Sequence, residues 1–243
     1  MSPEQAAVSD RAAVSADQVD ANPRVLFIVS AAHQLTMKDA TLHTTGFWAE
    51  ELLVPYRAFT QAGFDVKFAT PVGRPPQADP RSLNAHDGAE LDHLPDLRAP
   101  LVLDDVEVDG YEAVFVPGGH APLEDLATDA IAGRLVTEAL AAGKPVGALC
   151  HGPAALLAAR RDDGTPTIAG YRLTAFTDEE ERQAGLAENM RYLLEDNLVE
   201  LGADFVEGPA FQAHTETDRN LHTGQNPQSS AQIAADMLEA LGR

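Results

Sequence analysis

The 243-residue chain has a single cysteine, Cys150. One thiol excludes an internal disulfide, and a lone unpaired cysteine suits a reducing compartment, so a cytoplasmic location is expected. Basic residues are scarce: 17 Lys and Arg stand against 38 Asp and Glu, a formal net charge of −21. That deficit argues against a nucleic-acid or anionic-membrane partner, favours solubility, and would also suit a salt-rich cytoplasm. Apolar runs long enough to span a bilayer are missing. The opening MSPEQAAVSDRAAVSADQVDANP has neither a basic start nor a continuous apolar core, so no signal peptide is expected there. Residues 1–22 have the composition of a disordered polar tail. Internal repeats and linker-like stretches are also lacking, so residues 23–243 are expected to form one domain. The 44% of hydrophobic residues is enough for a sizeable core.

From Arg24 onward, short β-like runs alternate with longer helical patterns. RVLFIVS (24–30), DVKFATP (65–71), EAVFVPGG (112–119) and KPVGAL (144–149) have the apolar density of buried parallel strands. Helical patterns cover 46–63, interrupted by Pro55 and stopped by Gly63, then 127–143, 152–161, 190–201 and 227–241. Short strands are expected near 204–207 and 220–223. Residues 72–103 form a Pro-rich connection with little periodicity, long enough for a functional or dimer-forming excursion. The alternation predicts an α/β fold: a flavodoxin-like open, mostly parallel sheet with helices on both faces.

ALCHGPAALL places Cys150 where a buried strand passes into a helix, the position at which α/β proteins present ligand-binding side chains. Gly152 permits a tight turn and Pro153 suits the first helical turn. A helix N-terminus there predicts a lowered thiol pKa. An arbitrary free cysteine is more often a small buried hydrophobe, but the strand–Cys–His–Gly–Pro–helix context favours a nucleophile. Neighbouring side chains normally diverge, yet a sharp turn can keep His151 near the same pocket as a proton shuttle. Glu51 shares its helical face with Phe47, Trp48, Pro55, Ala58 and Ala62, whereas Glu50 shares a face with Arg57 and Gln61. A carboxyl on the apolar face has a raised pKa and suits acid/base work beside a thiolate. His33, His43, His86, His93, His120, His214 and His222 match no zinc spacing, so no metal and no cofactor are expected. In GQNPQSS (224–230), Asn226 or Ser229 is positioned to cap the terminal helix.

With these residues in hand, the chain resembles the ThiJ/PfpI superfamily, whose sheet is like that of class I glutamine amidotransferases. The likeness is greatest to the branch of glyoxalase III enzymes and chaperone-like heat-shock members. It runs from Arg24 to the C-terminus and rests on TGFWAEELLVP (45–55), FVPGGHAPLEDL (115–126), ALCHGPAALL (148–157), FTDEEE (176–181) and HTGQNPQSSA (222–231), in that order. The resemblance implies an acid/base glutamate at Glu51. It also implies an oxyanion pocket from the backbone of Gly118 and Gly119, with His120 beside it. This chain has Ala121 where the family often has glycine. For the acid behind His151 the pattern favours Glu181, with Glu180 and Asp178 as alternatives, all within an acidic helix start.

The implied activity is a glutathione-independent glyoxalase, a lyase converting methylglyoxal and water to lactate through a Cys150 hemithioacetal. A holdase chaperone of the stress response and a protein or nucleotide deglycase are the alternatives. A cysteine peptidase or amidotransferase-like amidase ranks lower, because no HxE arrangement near His214 or His222 is convincing as the distant histidine and acid of an amidotransferase. The partners expected are a small reactive carbonyl substrate and, from the relatives, a second copy in a homodimer.

Overall fold

The computed structural model describes residues 22–243; the polar tail expected at 1–22 thus falls almost wholly outside the described residues. Strand β1 (Arg24–Ile28) is followed by a hairpin, β2 (Gln34–Thr36) and β3 (Leu42–Thr44), and by helix α1 (Ala49–Gln61). Next come β4 (Asp65–Thr70), α2 (Ala85–Asp92), α3 (Pro95–Arg98) and β5 (Leu101–Val102). Strand β6 (Ala113–Val116), α4 (Ala130–Ala141) and β7 (Val146–Leu149) form the centre. The last third holds β8 (Arg172–Leu173), α5 (Asp178–Ala184), α6 (Leu194–Glu200), β9 (Asp204–Phe205), β10 (Thr215–Asp218), β11 (Leu221–Gly224) and α7 (Ser230–Ala240).

Seven strands make one sheet in the order β10-β11-β7-β6-β1-β4-β5. All neighbours in it are parallel except the hairpin β10–β11 at one edge. The apolar density of β1 has a direct cause. Leu26 and Ile28 join the hydrophobic cluster on one face, while Val25 and Phe27 join the cluster on the other. A strand covered on both faces must be apolar at every position rather than at every second one. Leu135, Val136 and Ala139 of α4 close the first face. Leu52 and Phe59 of α1, with Ile233 and Met237 of α7, close the second.

Several expectations change. The 72–103 connection, which shows little periodicity in sequence, carries α2, α3, β5 and short 3-10 turns, and Phe47 bridges to Ala78. Its short turns conceal any period because each element is only a few residues long. Residues 152–158 form a 3-10 helix rather than the α-helix expected over 152–161. The β2–β3 hairpin and β10 escape the sequence reading because polar, half-exposed strands lack an apolar pattern. Neither Asn226 nor Ser229 caps α7 through its side chain. Instead Asn226 donates to Glu180 and to the Gln212 carbonyl, and Ser229 donates to the carbonyl of His214. No helix among the described residues is long and apolar enough to cross a membrane.

A close backbone approach lies under the cysteine turn, where a Cβ on Gly152 would sit 2.1 Å from the Val116 carbonyl oxygen of β6. Relief requires the 3-10 turn to lift away from the end of β6. Gly152→Ala is therefore expected to cost about 2–4 kcal/mol in urea unfolding. A change below about 0.5 kcal/mol would show that the turn yields freely.

Candidate active site

The parallel strands β6 and β7 end side by side, and the chain segments leaving them form the floor of the site. Cys150 follows β7 directly with φ of 59°, a left-handed conformation unfavourable to any side chain with a Cβ. Two hydrogen bonds hold it there. Its N–H donates to the Gly224 carbonyl at the end of β11, 2.8 Å, and its carbonyl accepts from the Phe176 N–H, 2.9 Å. The turn thereby aims Sγ above the sheet while keeping His151 close. The Cys150 thiol donates to His151 Nδ1 at 3.3 Å.

On its other side, His151 Nε2–H donates to Glu181 Oε1 at 2.6 Å. Of the three acids left open by the sequence, only Glu181 reaches the ring. Glu180 completes a capping box with Thr177 and accepts from the Phe211 N–H and from Asn226. Asp178 occupies the first helical position, where its N–H donates to Glu195. Burial pushes the Glu181 carboxyl up, but hydrogen bonds from His120 and His151 outweigh it and hold the group well below the usual carboxylate range. Burial, aided by neighbouring His120, lowers His151 to about 4, so its imidazole is neutral near pH 7. An ionised Glu181 selects the tautomer with hydrogen on Nε2, leaving Nδ1 as an acceptor toward the thiol.

Glu51 enters from the first turn of α1. It is fully buried, whereas Glu50 beside it is exposed, as the facial pattern predicted. Ala58 and Ala62 of that face are only half-buried. Four residues on, Pro55 lacks the N–H that would bond the Glu51 carbonyl. Glu51 Oε2 accepts from the Gly118 N–H at 2.8 Å, and Oε1 has no hydrogen-bond partner among the N and O atoms of the described residues. Burial raises this carboxyl to about 8, more than its bonds to Cys150 and Gly118 lower it. Burial also pushes the Cys150 thiol up, and the Glu51 charge adds to that, while the Gly119 N–H offsets a part. The expected lowering of the thiol by a following α-helix is therefore corrected: the segment is 3-10 helical and the sulphur is buried.

The glycine pair divides its work differently from the expectation. The Gly118 N–H is occupied by Glu51, so it does not serve an oxyanion; Gly119 alone of the two lines the cavity and faces the sulphur. Gly119 has φ of 87°, and a Cβ there would meet the Gly46 carbonyl oxygen at 2.3 Å. His120, placed beside an oxyanion pocket by sequence, instead donates Nε2–H to Glu181 Oε1 at 2.9 Å. Both imidazoles thus share one carboxylate oxygen, their rings 4.2 Å apart.

His120, His151 and Glu181 each have a ligand atom within 4.8 Å of the others'. They come from three separate segments, so linear spacing could not reveal the cluster. Their close contacts are hydrogen bonds, which a cation would have to displace. The cavity over Cys150 measures about 180 Å³ and is also lined by Trp48, Arg81, Phe176, Phe211 and Gln228. Sequence reasoning missed Arg81. The Asp79-Pro80 start of its turn was the available signal, since Asp before Pro is a common helix entry.

The fold and this arrangement define an α/β protein with a buried Cys–His–Glu constellation on a strand-end turn. The chain belongs to the DJ-1/PfpI family, whose pattern matches residues 38–240. It is 31% identical to the protein/nucleic acid deglycase HchA of Pseudomonas aeruginosa, over 90% of this chain and 82% of that one. Among solved structures, the Rapid Encystment Protein of Francisella tularensis superposes with a TM-score of 0.83 at 28% identity, covering 90% of this chain and 99% of that one. Glyoxalase III of Candida albicans gives a TM-score of 0.75 at 25% identity, covering 90% and 97%.

The Glu51 carboxyl has a testable cost. Its pKa is raised on folding from 4.5 to about 8. The folded protein holds that proton more tightly, so stability is full below the unfolded value and is lost as pH climbs toward 8. Glu51→Gln keeps an acceptor for Gly118 and removes the titration. Its thermal stability is expected to exceed wild type by on the order of 3 kcal/mol at pH 8 and by far less at pH 5. An equal difference at both pH values would refute the assignment.

Proposed function

We propose that the protein is a glutathione-independent glyoxalase that converts methylglyoxal and water to lactate, a lyase-type reaction. The observation that carries the reading is the buried, proton-bearing Glu51 beside the Cys150 sulphur. A thiol and a carboxyl able to give and take a proton across two adjacent carbons suit carbonyl isomerisation better than amide cleavage. Lysis of an amide needs a firm oxyanion hole, and here one N–H of the glycine pair is already occupied.

In this reading Cys150 attacks the aldehyde carbon, its proton passes to His151 Nδ1, and Glu51 protonates the aldehyde oxygen. The Glu51 carboxylate then removes the hydrogen from that carbon while His151 protonates the neighbouring ketone oxygen, giving an enediol. Glu51 returns the proton to the second carbon and His151 takes one from the first hydroxyl, which leaves a thioester. Water adds to the thioester, giving its proton to Glu51, and the sulphur leaves with the proton on His151. Lactic acid departs and ionises, and every group regains its starting state. Glu181 holds His151 in the right tautomer and steadies its transient charge. His120, donating to the same oxygen, fixes that carboxylate in place.

A second reading is favoured by the name of the Pseudomonas aeruginosa relative: removal of carbonyl adducts from protein or nucleic acid. It uses the same sulphur and the same carboxyl. The exposed Phe211 at the cavity leaves an opening for a larger adduct.

Lactate release from methylglyoxal is expected to fall by at least about 10³-fold in Cys150→Ser and by about 10²–10⁴-fold in Glu51→Gln. Full activity in either variant would sink the mechanism. The two pKa values also set the profile of kcat/KM. It should hold level between about 4, where His151 gains a proton, and about 8, where Glu51 loses one, and fall on both sides. A rise through pH 8 would mean that ionised Glu51 is the starting state.

A further inference from the structure

Among the described residues that line the Cys150 cavity, Arg81 is the only Lys or Arg. It is a held side chain, not a mobile one. Asp79, fully buried at the start of the same turn, receives Arg81 Nε at 3.0 Å on Oδ1 and Nη2 at 2.7 Å on Oδ2. The Arg81 backbone N–H also donates to Asp79 Oδ1, and Thr45 Oγ1 donates to Oδ2. This bidentate pairing fixes the plane of the guanidinium. Nη1 has no hydrogen-bond partner among the described residues, and the side chain keeps 45% of its exposure. The remaining polar side chains at the cavity are the neutral Trp48 and Gln228, Glu51, which burial keeps protonated near neutrality, and two histidines already committed to Glu181. A chain of net charge −21 repels anions at large, yet it places one anchored cation in the lining of the cavity that holds its nucleophile.

The geometry points to Arg81 as the specificity residue for a carbonyl substrate that bears a carboxylate: a short 2-oxoaldehyde with a terminal carboxylate, whose anion pairs with Arg81 while Cys150 attacks its aldehyde. The inference rests on the carbonyl chemistry of the proposed function and narrows its substrate class. In the covalent step the sulphur–carbon bond forms, the carbonyl π bond breaks, the thiol proton passes to His151 and Glu51 protonates the former aldehyde oxygen, so nothing is oxidised or reduced. The anion keeps Arg81 Nη1 as its partner throughout and needs no new charge in the cavity. An isolated structural ion pair would leave the nucleophile indifferent to ligand charge.

Iodoacetate and iodoacetamide test this directly, because both alkylate Cys150 with loss of iodide and differ mainly in charge. With the full chain at low salt, the ratio of the iodoacetate rate to the iodoacetamide rate is expected to drop about tenfold in Arg81→Gln. The double variant Asp79→Asn/Arg81→Gln, which leaves no unpaired buried carboxylate, should show the same drop. A ratio within twofold of wild type in the double variant overturns the proposal. Glyoxylate supplies the second measurement. It forms a hemithioacetal but has no ketone carbon for the isomerisation, so it should inhibit methylglyoxal turnover about tenfold less well in Arg81→Gln, while its neutral methyl ester should not distinguish the two proteins. Equal weakening of both inhibitors also overturns it. If wild type fails to consume methylglyoxal, the glyoxalase reading falls, and the alkylation ratio still decides the role of Arg81 separately.

Discussion

Everything at the site depends on one strained residue. Cys150 is held in a left-handed backbone conformation that costs on the order of 1 kcal/mol or more, and the surrounding sheet compensates for it. The compensation comes from both sides of the residue: β11 receives its N–H and the segment before α5 donates to its carbonyl. Because those two partners also lead into Asn226 and Glu181, the same hydrogen bonds that set the sulphur set the rest of the constellation. Gly152 is the obligatory companion, since only its missing side chain lets the turn settle against the end of β6.

The electrostatics of the pocket follow from burial more than from charge. A chain rich in carboxylates encloses a cavity where one carboxyl is kept neutral by desolvation and another is kept ionised by two imidazoles. These opposite outcomes arise from partners, since Glu51 has one N–H and a thiol for company whereas Glu181 has two ring N–H donors. Environments that push two like groups apart are a recurrent way to divide acid and base roles within one site.

Much of this was legible from residue order. The strands β1, β4, β6 and β7 announce themselves because burial on two faces demands continuous apolar runs. Glu51 separates from Glu50 by helical period alone, and Cys150 by its place at a strand end. What was hidden depends on long-range geometry. Nothing local tells that the Gly118 N–H turns to Glu51 rather than to a substrate oxygen, or that His120 reaches Glu181 across 61 positions. Arg81 was hidden for a further reason: it sits in the Pro-rich connection, whose turns are too short to show a period. The thiol pKa was misjudged because a 3-10 turn and deep burial replaced the α-helix on which that expectation stood.

The Gly224 carbonyl that receives the Cys150 N–H belongs to the last strand of the sheet, far downstream in the chain. Strand β7 lies between β6 and β11, so its outer edge stays open until the C-terminal third has arrived. During synthesis from the N-terminus the cysteine therefore emerges long before its supports. The nascent thiol lacks the backbone partner that holds the turn, and with it the imposed direction of the sulphur. The placement of the sulphur among its neighbours is consequently one of the last features of the site to be set, because it waits for backbone partners from the C-terminal third.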